Sequence, residues 1–430
     1  MKVLMLSNSE WDDNNSFGNT FSNFFDDCKN IQFANIFCRE GIPNTKLCKR
    51  FLKITDKQLL RHILNKNCSP VQVAYNTTTS QEEDESGSKK SLWLLEFMRK
   101  KRWSIFFLLR EVIWSLRDYK TIEFKRFIEE FAPDILFVPV YPYAYINKMA
   151  LEIKSMYHLP MISYMSDDEY SLRQFSLSPL YWLRRIIQRN WVVKVLRSSS
   201  QVYVISEMQK RDCEKDLGIT CKILTKSYDF TAKDTVKVSN IKKVSLLYAG
   251  NLGSGRWKSL AYISEVVEKL CKEGLQLEFN IYSATPLTRT MSKRLNRGCY
   301  CKVHAAVPYP VVQQLQEEAD IVIHAESLSL RNGLEVRQSF STKLVDLFFQ
   351  SKCIFAIGRG DVASIYHLKS NDAAVVASSR KEVYNKLKKL VTNESVRQYY
   401  SKKAYGCGMK YHDRSKMKQM LMSDLEKLVD

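Results

Sequence analysis

Apolar residues recur along this chain in two alternating patterns. Short apolar runs are typical of buried strands in parallel sheets, and apolar residues spaced three and four apart between those runs predict helices. The alternation predicts an α/β protein with doubly wound parallel sheets. Strands are predicted at 3–7, 32–37, 71–75, 135–140, 161–165, 202–205 and 222–224, and then at 244–249, 277–282, 302–306, 320–324, 353–357 and 373–377.

A chain of 430 residues is long enough for two domains, each with its own core. Residues 1–230 are predicted to form the first domain and 244–405 the second, because 231–243 lacks any periodicity and is typical of a linker. Residues 76–91 are polar and of low complexity, which predicts an exposed loop without chemistry. The pattern at 406–430 predicts a final amphipathic helix.

A glycine-rich turn follows the strand predicted at 244–249. The stretch VSLLYAGNLGSGRWK, Val244 to Lys258, contains an apolar run, three glycines and the start of a helical pattern. Glycines at 250, 253 and 255 let the backbone approach a ligand, and the helix N-terminus offers free N–H groups to a phosphate. The glycine spacing matches neither the dinucleotide fingerprint nor the Walker loop, so an ordinary strand-to-helix turn stays open.

A second informative stretch, SFSTKLVDLFFQSKCIFAIG, runs from Ser339 to Gly358. Ser339 or Ser341 is predicted to cap a helix, whose buried stripe contains Leu344, Leu347 and Phe348. Lys343 and Asp346 are predicted to share one exposed face of this helix, which leads into the strand at 353–357.

These two stretches together resemble the donor half of glycosyltransferases of the GT-B fold, particularly glycosyltransferase family 4. In that family a G-N-L or G-R-L turn precedes a basic residue, and a later P/S-T-K-L-x-E-Y helix precedes a G-K-P-V-L-A strand. The corresponding residues here are Gly250, Asn251, Leu252 and Arg256, and then Ser341, Thr342, Lys343, Leu344 and Asp346. The chain differs from the family where Asp346 replaces Glu, Asn251 stands where Arg is frequent, and Cys353 stands where Pro is common.

The resemblance implies two Rossmann-like doubly wound domains facing across a cleft, with the final helix returning to the first domain. It implies transfer of a sugar from a nucleotide diphosphate to an acceptor hydroxyl, with retention of configuration. Arg256 and Lys343 are the expected catalytic cations, because they can stabilise the charge that builds on the departing diphosphate. The expected donor-binding residues are Gly250, Asn251, Gly253, Gly255, Arg256, Ser341, Thr342, Lys343 and Asp346.

Acidic residues of the family define two further expectations. Asp346 is expected to accept hydrogen bonds from the donor ribose. The position of the family's first acidic residue is occupied here by Gln338, so Glu326 is the preferred catalytic substitute and Glu335 the second choice. A loop residue without a role is the alternative for Glu326.

The loops after two strands of the first domain are predicted to face the acceptor, because ligands bind at the carboxyl ends of strands. Gly18 and Asn19 lie after the first strand, before a helix expected from about Thr20. Asp167 and Asp168 follow the strand at 161–165, and by resemblance either could orient an acceptor hydroxyl, Asp168 as a catalytic residue. We expect no metal, because such carboxylates more often cap helices or loops.

The formal charge of +20 indicates an anionic partner. The basic aromatic segment at 91–127 and the segment at 181–197, with five basic residues and no acidic one, are typical of interfacial membrane helices, although core helices covered by long cations are equally compatible. Nucleic acid is not expected, since no recognised binding motif is present. No apolar run is long enough to span a membrane, and the 11 scattered cysteines favour a reducing cytoplasm.

The leading hypothesis is therefore a metal-independent, cofactor-free glycosyltransferase, cytoplasmic and peripheral on the inner face of the cell membrane. Its expected partners are a nucleotide diphosphate sugar, a lipid-linked or oligosaccharide acceptor of a surface polysaccharide, such as a capsule or O-antigen, and an anionic membrane surface. Two alternatives stay open: a nucleotide-sugar epimerase of the same fold, and a catalytically inert nucleotide-sugar-binding subunit.

Overall fold

The structure, a computed structural model, describes residues 1–28, 30–64, 69, 71–74, 104–116, 119–230 and 243–429. The predicted loop at 76–91, the first part of the basic aromatic segment at 91–127 and nearly all of the predicted linker at 231–243 lie outside the described residues. The chain divides into two compact units: Met1–Leu172, Ser176–Thr225 and Lys418–Asp430 form the first, and Arg173–Phe175 with Lys226–Met417 form the second.

The first unit contains an eight-stranded sheet with the order β4-β3-β2-β1-β5-β6-β7-β8. All neighbouring strands are parallel except β3 and β4. The strands are β1 (Lys2–Ser7), β2 (Gln32–Phe37), β3 (Cys48–Lys53), β4 (Gln72–Ala74), β5 (Ile135–Pro139), β6 (Met161–Met165), β7 (Gln201–Val204) and β8 (Cys221–Ile223).

Helices connect these strands. They are α1 (Ser16–Phe25), α2 (Asp56–Leu64), α3 (Ser104–Leu116), α4 (Ile122–Phe131), α5 (Ala144–Tyr157), α6 (Pro179–Ser198) and α7 (Glu207–Leu217). The inner strands β5 and β6 are buried throughout, as expected for strands covered on both faces. The core beneath them is built from the apolar residues of these strands and the inward faces of the helices.

Strand β3 was not predicted from the sequence. Lys49, Arg50 and Lys53 interrupt its apolar residues, so the run CKRFLK does not have the pattern of a buried strand. Its parallel pairing with β2 and the burial of Phe51 and Leu52 place it in the sheet. Tertiary contact therefore overrides a weak local pattern here.

The first helix also begins earlier than the predicted Thr20. Asn15 caps α1 through its side-chain oxygen, which accepts a hydrogen bond from the N–H of Gly18 at 2.8 Å. An Asn side chain satisfies a helical N–H that would otherwise lack a partner, so the helix starts at Ser16.

The second unit contains a six-stranded sheet with the order β11-β10-β9-β12-β13-β14, in which all pairings are parallel. The strands are β9 (Val244–Ala249), β10 (Leu277–Ser283), β11 (Cys301–Ala305), β12 (Ile321–Ala325), β13 (Cys353–Ile357) and β14 (Val375–Ala377). The helices are α8 (Arg256–Lys272), α9 (Arg289–Leu295), α10 (Tyr309–Glu318), α11 (Leu330–Glu335), α12 (Thr342–Phe349), α13 (Ala363–Ser370), α14 (Arg380–Thr392) and α15 (Glu394–Tyr411).

The last helix, α16 (Arg414–Glu426), ends within the first unit, to which Lys418–Asp430 belongs. Tyr203 of β7 donates a hydrogen bond to Asp424 at 2.7 Å, and Lys222 of β8 forms an ion pair with the same carboxylate. Among the described residues, no helix combines the length and the apolar content that crossing a bilayer requires.

Candidate functional site

The order of strands in the second sheet reverses between β9 and β12. In doubly wound sheets, ligands bind outside the carboxyl ends of the strands at such a reversal. The glycine turn that follows β9 and the loop that begins with Glu326 after β12 therefore meet at one edge of the sheet. Most of the predicted donor residues lie on these two connections or on the nearby helix α12.

The glycine turn is left-handed at two consecutive residues, Ser254 (φ 47°) and Gly255 (φ 77°). A Cβ on Gly255 would lie 2.1 Å from Nδ2 of Asn332 and 2.7 Å from Oγ of Ser327, so a side chain here would be strained by the dihedral angle and would displace the ends of these two side chains. Within the described part of the chain, the N–H groups of Ser254 and Gly255 donate no hydrogen bond. Two backbone donors thus remain available at the start of α8.

Asn251 stabilises the same turn from its other end. Its Oδ1 accepts hydrogen bonds from the N–H of Gly253 at 2.6 Å and from Oγ1 of Thr285 at 3.2 Å. Its backbone oxygen accepts a hydrogen bond from the buried hydroxyl of Tyr248 at 2.7 Å. These contacts account for Asn at a position where the resembled family frequently has Arg.

Arg256 at the start of α8 and Glu326 at the end of β12 form a bidentate ion pair. Nε and Nη2 of Arg256 donate to the two carboxylate oxygens at 3.0 and 3.1 Å. Only 4% of the Glu326 side chain is exposed, against 24% for Arg256. Burial lowers the pKa of Arg256, but the facing carboxylate outweighs burial, so the pKa of Arg256 is raised and the residue stays charged. Glu326 thus orients Arg256.

His324 lies two residues before Glu326 on β12. Its Nε2 lies 3.1 Å from Oγ of Ser364 and 3.9 Å from Oε1 of Glu326. Burial, followed by the charge of Arg256, lowers the pKa of His324 to about 3. The imidazole is therefore neutral at physiological pH and forms part of the packed strand.

Helix α12 brings Lys343 to the glycine turn. A Cβ on Gly250 would lie 3.2 Å from Nζ of Lys343, so the ammonium group adjoins the backbone that follows β9. Desolvation and then the charge of Arg256 lower the pKa of Lys343, which shows that the two cations are within electrostatic reach of each other. Lys343 forms no ion pair or hydrogen bond with any described residue.

The N-terminus of α12 is not closed by a side chain. Ser341 is the N-cap residue, but its hydroxyl makes no capping hydrogen bond. In the described regions, the N–H groups of Thr342 and Lys343 donate no hydrogen bond. The predicted donor residues Ser341, Thr342 and Lys343 thus present backbone donors, as the start of a helix does.

The prediction that Lys343 and Asp346 share an exposed face is wrong for Asp346, which is buried. Oδ1 of Asp346 accepts hydrogen bonds from Nζ of Lys226 and from the hydroxyl of Tyr228, both at 2.7 Å. The hydroxyl of Tyr228 also lies 2.8 Å from that of Tyr309. Sequence reasoning missed Lys226, because 120 residues separate it from Asp346 and no motif connects the two.

Glu335 and Gln338, both considered for the family's first acidic position, lie on or just after α11. Glu335 is exposed, and its charge contributes to the raised pKa of Arg256. Gln338 is fully buried. The structure thus brings Glu326 into direct contact with a predicted catalytic cation.

In the first unit, the predicted acceptor residues have local structural partners. A Cβ on Gly18 would lie 2.0 Å from the carbonyl oxygen of Asp12, so the glycine is required by the chain's own backbone. The side chain of Asn19 is exposed, and its N–H donates to the carbonyl oxygen of Asn15 at 3.0 Å.

Asp168 is buried in an ion pair with Arg185, at 3.1 Å from Nη2. It also accepts hydrogen bonds from the N–H of Ser171 at 2.9 Å and from the Ser171 hydroxyl. Asp167 is exposed, and its carbonyl oxygen accepts a hydrogen bond from Gln209. These contacts favour a role for Asp168 in holding the loop after β6. Across the described residues, no group of three or more metal-ligating side chains forms a metal site.

No protein-family profile and no curated protein matches the chain. Several solved structures are similar to it in fold. Sucrose-phosphate synthase from Thermosynechococcus elongatus matches with a TM-score of 0.60 and 8% identity over 100% of this chain and 99% of its own. HepE from Anabaena in complex with UDP matches with 0.59 and 10% identity over 99% and 100%. An α,α-trehalose-phosphate synthase (UDP-forming) from Burkholderia xenovorans in complex with glucose-6-phosphate matches with 0.58 and 10% identity over 99% and 100%.

Identities this low show the fold alone. The predicted α/β class with two doubly wound domains is confirmed, and the matched structures share the GT-B fold over the full chain. The resemblance to family 4 within that fold stays a prediction.

Proposed function

We propose that this protein transfers a sugar from a nucleotide diphosphate sugar to an acceptor hydroxyl. The observation that carries the proposal is the pair of cations at the edge of the second sheet. Arg256 and Lys343 lie within electrostatic reach of each other at the starts of α8 and α12. Among the described residues, the N–H groups of Ser254, Gly255, Thr342 and Lys343 at these two helix starts donate no hydrogen bond. Like charges repel, so an anion bound between them would be strongly stabilised.

The proposed reaction uses these groups where negative charge develops. When the bond between the sugar and the diphosphate breaks, charge accumulates on the departing phosphate oxygens. Cations and backbone donors that already point at this place stabilise the transition state more than the ground state. Two side chains with fixed charge supply the neutralisation, so the proposed reaction needs no metal ion or cofactor.

Glu326 has a positioning role in this proposal. Its two oxygens hold the Arg256 guanidinium, and Ser259 donates a hydrogen bond to its carbonyl oxygen at 2.7 Å. Asp346 is proposed to accept a ribose hydroxyl through Oδ2, since Oδ1 is engaged by Lys226 and Tyr228. The names of two of the similar solved structures mention UDP, which supports a uridine nucleotide as the first donor to test.

The finer assignment follows the resemblance to family 4. We propose a retaining transfer to a lipid-linked or growing surface polysaccharide at the cytoplasmic face of a membrane. Four apolar residues on one face of α3 support membrane contact: Ile105, Leu109, Val112 and Leu116 are 41%, 45%, 50% and 65% exposed. Their spacing of four, three and four residues places them in one stripe along the helix.

The two alternatives differ from this proposal in what they require. An epimerase needs a base beside the sugar. Burial lowers the pKa of His324 to about 3, which makes this imidazole a weak base, and its Nε2 lies 3.1 Å from Oγ of Ser364. An inert binding subunit would bind the donor but would not release its sugar. Slow hydrolysis of the donor in water separates a transferase from such a subunit.

The test combines ligand binding with hydrolysis. Thermal stabilisation by a panel of nucleoside diphosphates and nucleotide sugars would be measured for the natural chain, Arg256→Ala and Lys343→Ala. Each cation makes charge-assisted contacts worth about 1.5–3 kcal/mol, so each substitution should lower donor affinity and hydrolysis at least tenfold. Lys258→Ala is the matched control, because Lys258 lies on the same helix but is exposed, with Nζ 5.7 Å from the Trp257 ring centroid.

Stabilisation by one nucleotide class that both substitutions abolish would support the donor site. Absence of stabilisation by every compound in a folded sample would contradict it. Equal losses in Lys258→Ala would show a general charge effect instead of a site.

A further inference from the structure

Arg184 on α6 is a half-buried cation in the first unit that lacks a hydrogen-bond or ion-pair partner among the described residues. Its guanidinium lies 4.6 Å from the ring centroid of Phe107 on α3 and 5.5 Å from that of Tyr181. Its Nε is buried without a hydrogen-bond partner, and it forms no ion pair with any described residue. Buried polar groups in native proteins are almost always bonded, so this donor requires an explanation.

Neighbouring arginines have carboxylate or carbonyl partners, whereas Arg184 has none among the described residues. Arg110 forms an ion pair with Asp56 at 2.8 Å, Arg185 pairs with Asp168 at 3.1 Å, and Arg189 donates to the carbonyl oxygen of Tyr170 at 2.7 Å. Burial, the largest effect, lowers the pKa of Arg184. The contacts with two rings offset part of this cost, but they leave the N–H donors unused.

The residues around Arg184 lie at the edge of the first sheet where the strands have their carboxyl ends. Tyr143 follows β5 and stacks on Phe107 with centroids 6.1 Å apart, and Glu169 follows β6. Burial, followed by the charges of Asp167 and Asp168, raises the pKa of Glu169 to about 8. The charge of Glu169 raises the pKa of Arg184, but burial outweighs this effect, so Glu169 compensates Arg184 only in part.

We propose that Arg184, together with the rings of Phe107, Tyr143 and Tyr181, binds a phosphate group of the acceptor. A planar guanidinium presents paired donors that match phosphate oxygens, and ligands of doubly wound sheets bind at the carboxyl edge of the strands. The flat rings beside the cation suit a sugar attached to that phosphate. This inference rests on the proposed function, because it names the acceptor class as a phosphorylated sugar or a sugar on a lipid phosphate.

The test compares Arg184→Gln, Arg184→Lys and Arg197→Gln. Binding of glucose 6-phosphate, with glucose as the uncharged reference, would be followed by calorimetry. Binding to phosphatidylcholine vesicles with and without phosphatidylglycerol would be followed by flotation. Loss of a charge-assisted contact should weaken phosphate-dependent binding at least tenfold in Arg184→Gln, and Arg184→Lys should restore part of it.

Arg197 is the matched control because it lies on the same helix, is exposed, and carries the same charge. Positions 184 and 197 are thirteen residue steps apart, which is about 20 Å of helix and exceeds the Debye length of about 8 Å at physiological salt. We therefore expect Arg197→Gln to bind as the natural chain does.

Arg184-dependent binding of glucose 6-phosphate would identify a soluble phosphate as the ligand, and Arg184-dependent binding of phosphatidylglycerol vesicles alone would identify a lipid phosphate. Either result supports the site. Equal binding by Arg184→Gln and the natural chain in both assays, or an equal loss in Arg197→Gln, would overturn it. Donor stabilisation of the same samples is the separate readout for the proposed function, because Arg256 and Lys343 belong to the second unit.

Discussion

At the scale of single residues, Asp346 illustrates how a buried carboxylate depends on its partners. The side chains of Lys226 and Asp346 are only 6% and 8% exposed, and Nζ of Lys226 also lies 5.2 and 5.3 Å from the ring centroids of Tyr228 and Tyr309. Such a pair is balanced while both charges are present, since the attraction offsets the loss of hydration. Removal of one partner leaves an uncompensated charge in the interior.

Lys226→Met and Asp346→Leu should therefore each lower the free energy of unfolding by about 3–5 kcal/mol, and the double variant should lose clearly less than their sum. Urea denaturation followed by circular dichroism measures these losses. Lys272→Met is the matched control, because Lys272 forms an exposed ion pair with Glu268 and should show no measurable change. Additive losses in the double variant would show that the two residues do not interact as described.

At the scale of elements, the turn between β9 and α8 determines where the candidate donor site lies. Gly255 is the N-cap of α8 and has no side chain that could cap the first N–H groups of the helix. The side chains of Asn332 and Ser327 pack directly against this glycine. The conformation and the packing together disfavour a side chain at position 255.

Gly255→Ala should consequently be more damaging than Gly274→Ala. Both glycines have positive φ, 77° and 97°, but nothing lies within 4 Å of a Cβ at position 274. The left-handed conformation costs a non-glycine residue about 1–2 kcal/mol, which both variants should lose. Gly255→Ala should lose more in urea denaturation and should also lose stabilisation by nucleoside diphosphates. Equal losses of stability with unchanged ligand binding would contradict the proposed position of the donor.

At the scale of the whole molecule, the excess of cations and the exposed stripe on α3 bear on the proposed membrane contact. A formal charge of +20 attracts anionic surfaces at a distance, but salt screens this attraction. The stripe of Ile105, Leu109, Val112 and Leu116 acts only on contact, because an apolar side chain gains free energy when it leaves water. The contributions of the net charge and of the apolar stripe to membrane binding can thus be measured separately.

Leu109→Asp combined with Val112→Asp should abolish binding to vesicles that contain phosphatidylglycerol, and binding of the natural chain should weaken as salt is raised. Flotation in a sucrose gradient measures both effects. Ile42→Asp is the control, because Ile42 is 62% exposed but lies outside α3. Binding that survives the double substitution would remove the stripe from the proposed membrane contact.

Much of the fold was predictable because its strongest signals are local. Strands β2, β6, β9 and β13 begin and end at the predicted residues, since continuous apolar runs identify strands that are buried on both faces. Strand β3 was not predicted, because basic residues interrupt its apolar pattern. Helix α1 was predicted to start too late, because a side-chain cap determines its first residue. Arg256 and Lys343 were predicted as site residues from their place in motifs, which is also a local signal.

The fold class, the glycine turn and the two candidate cations could be predicted without a structure, because each depends on residues close together along the chain. The side chains that surround them could not be predicted, because they come from distant segments. Glu326 lies 70 residues from its partner Arg256, and Lys226 lies 120 residues from Asp346. The parallel topology brings such distant residues to one edge of a sheet. The spacing of residues within a single segment does not indicate which of them will be in contact.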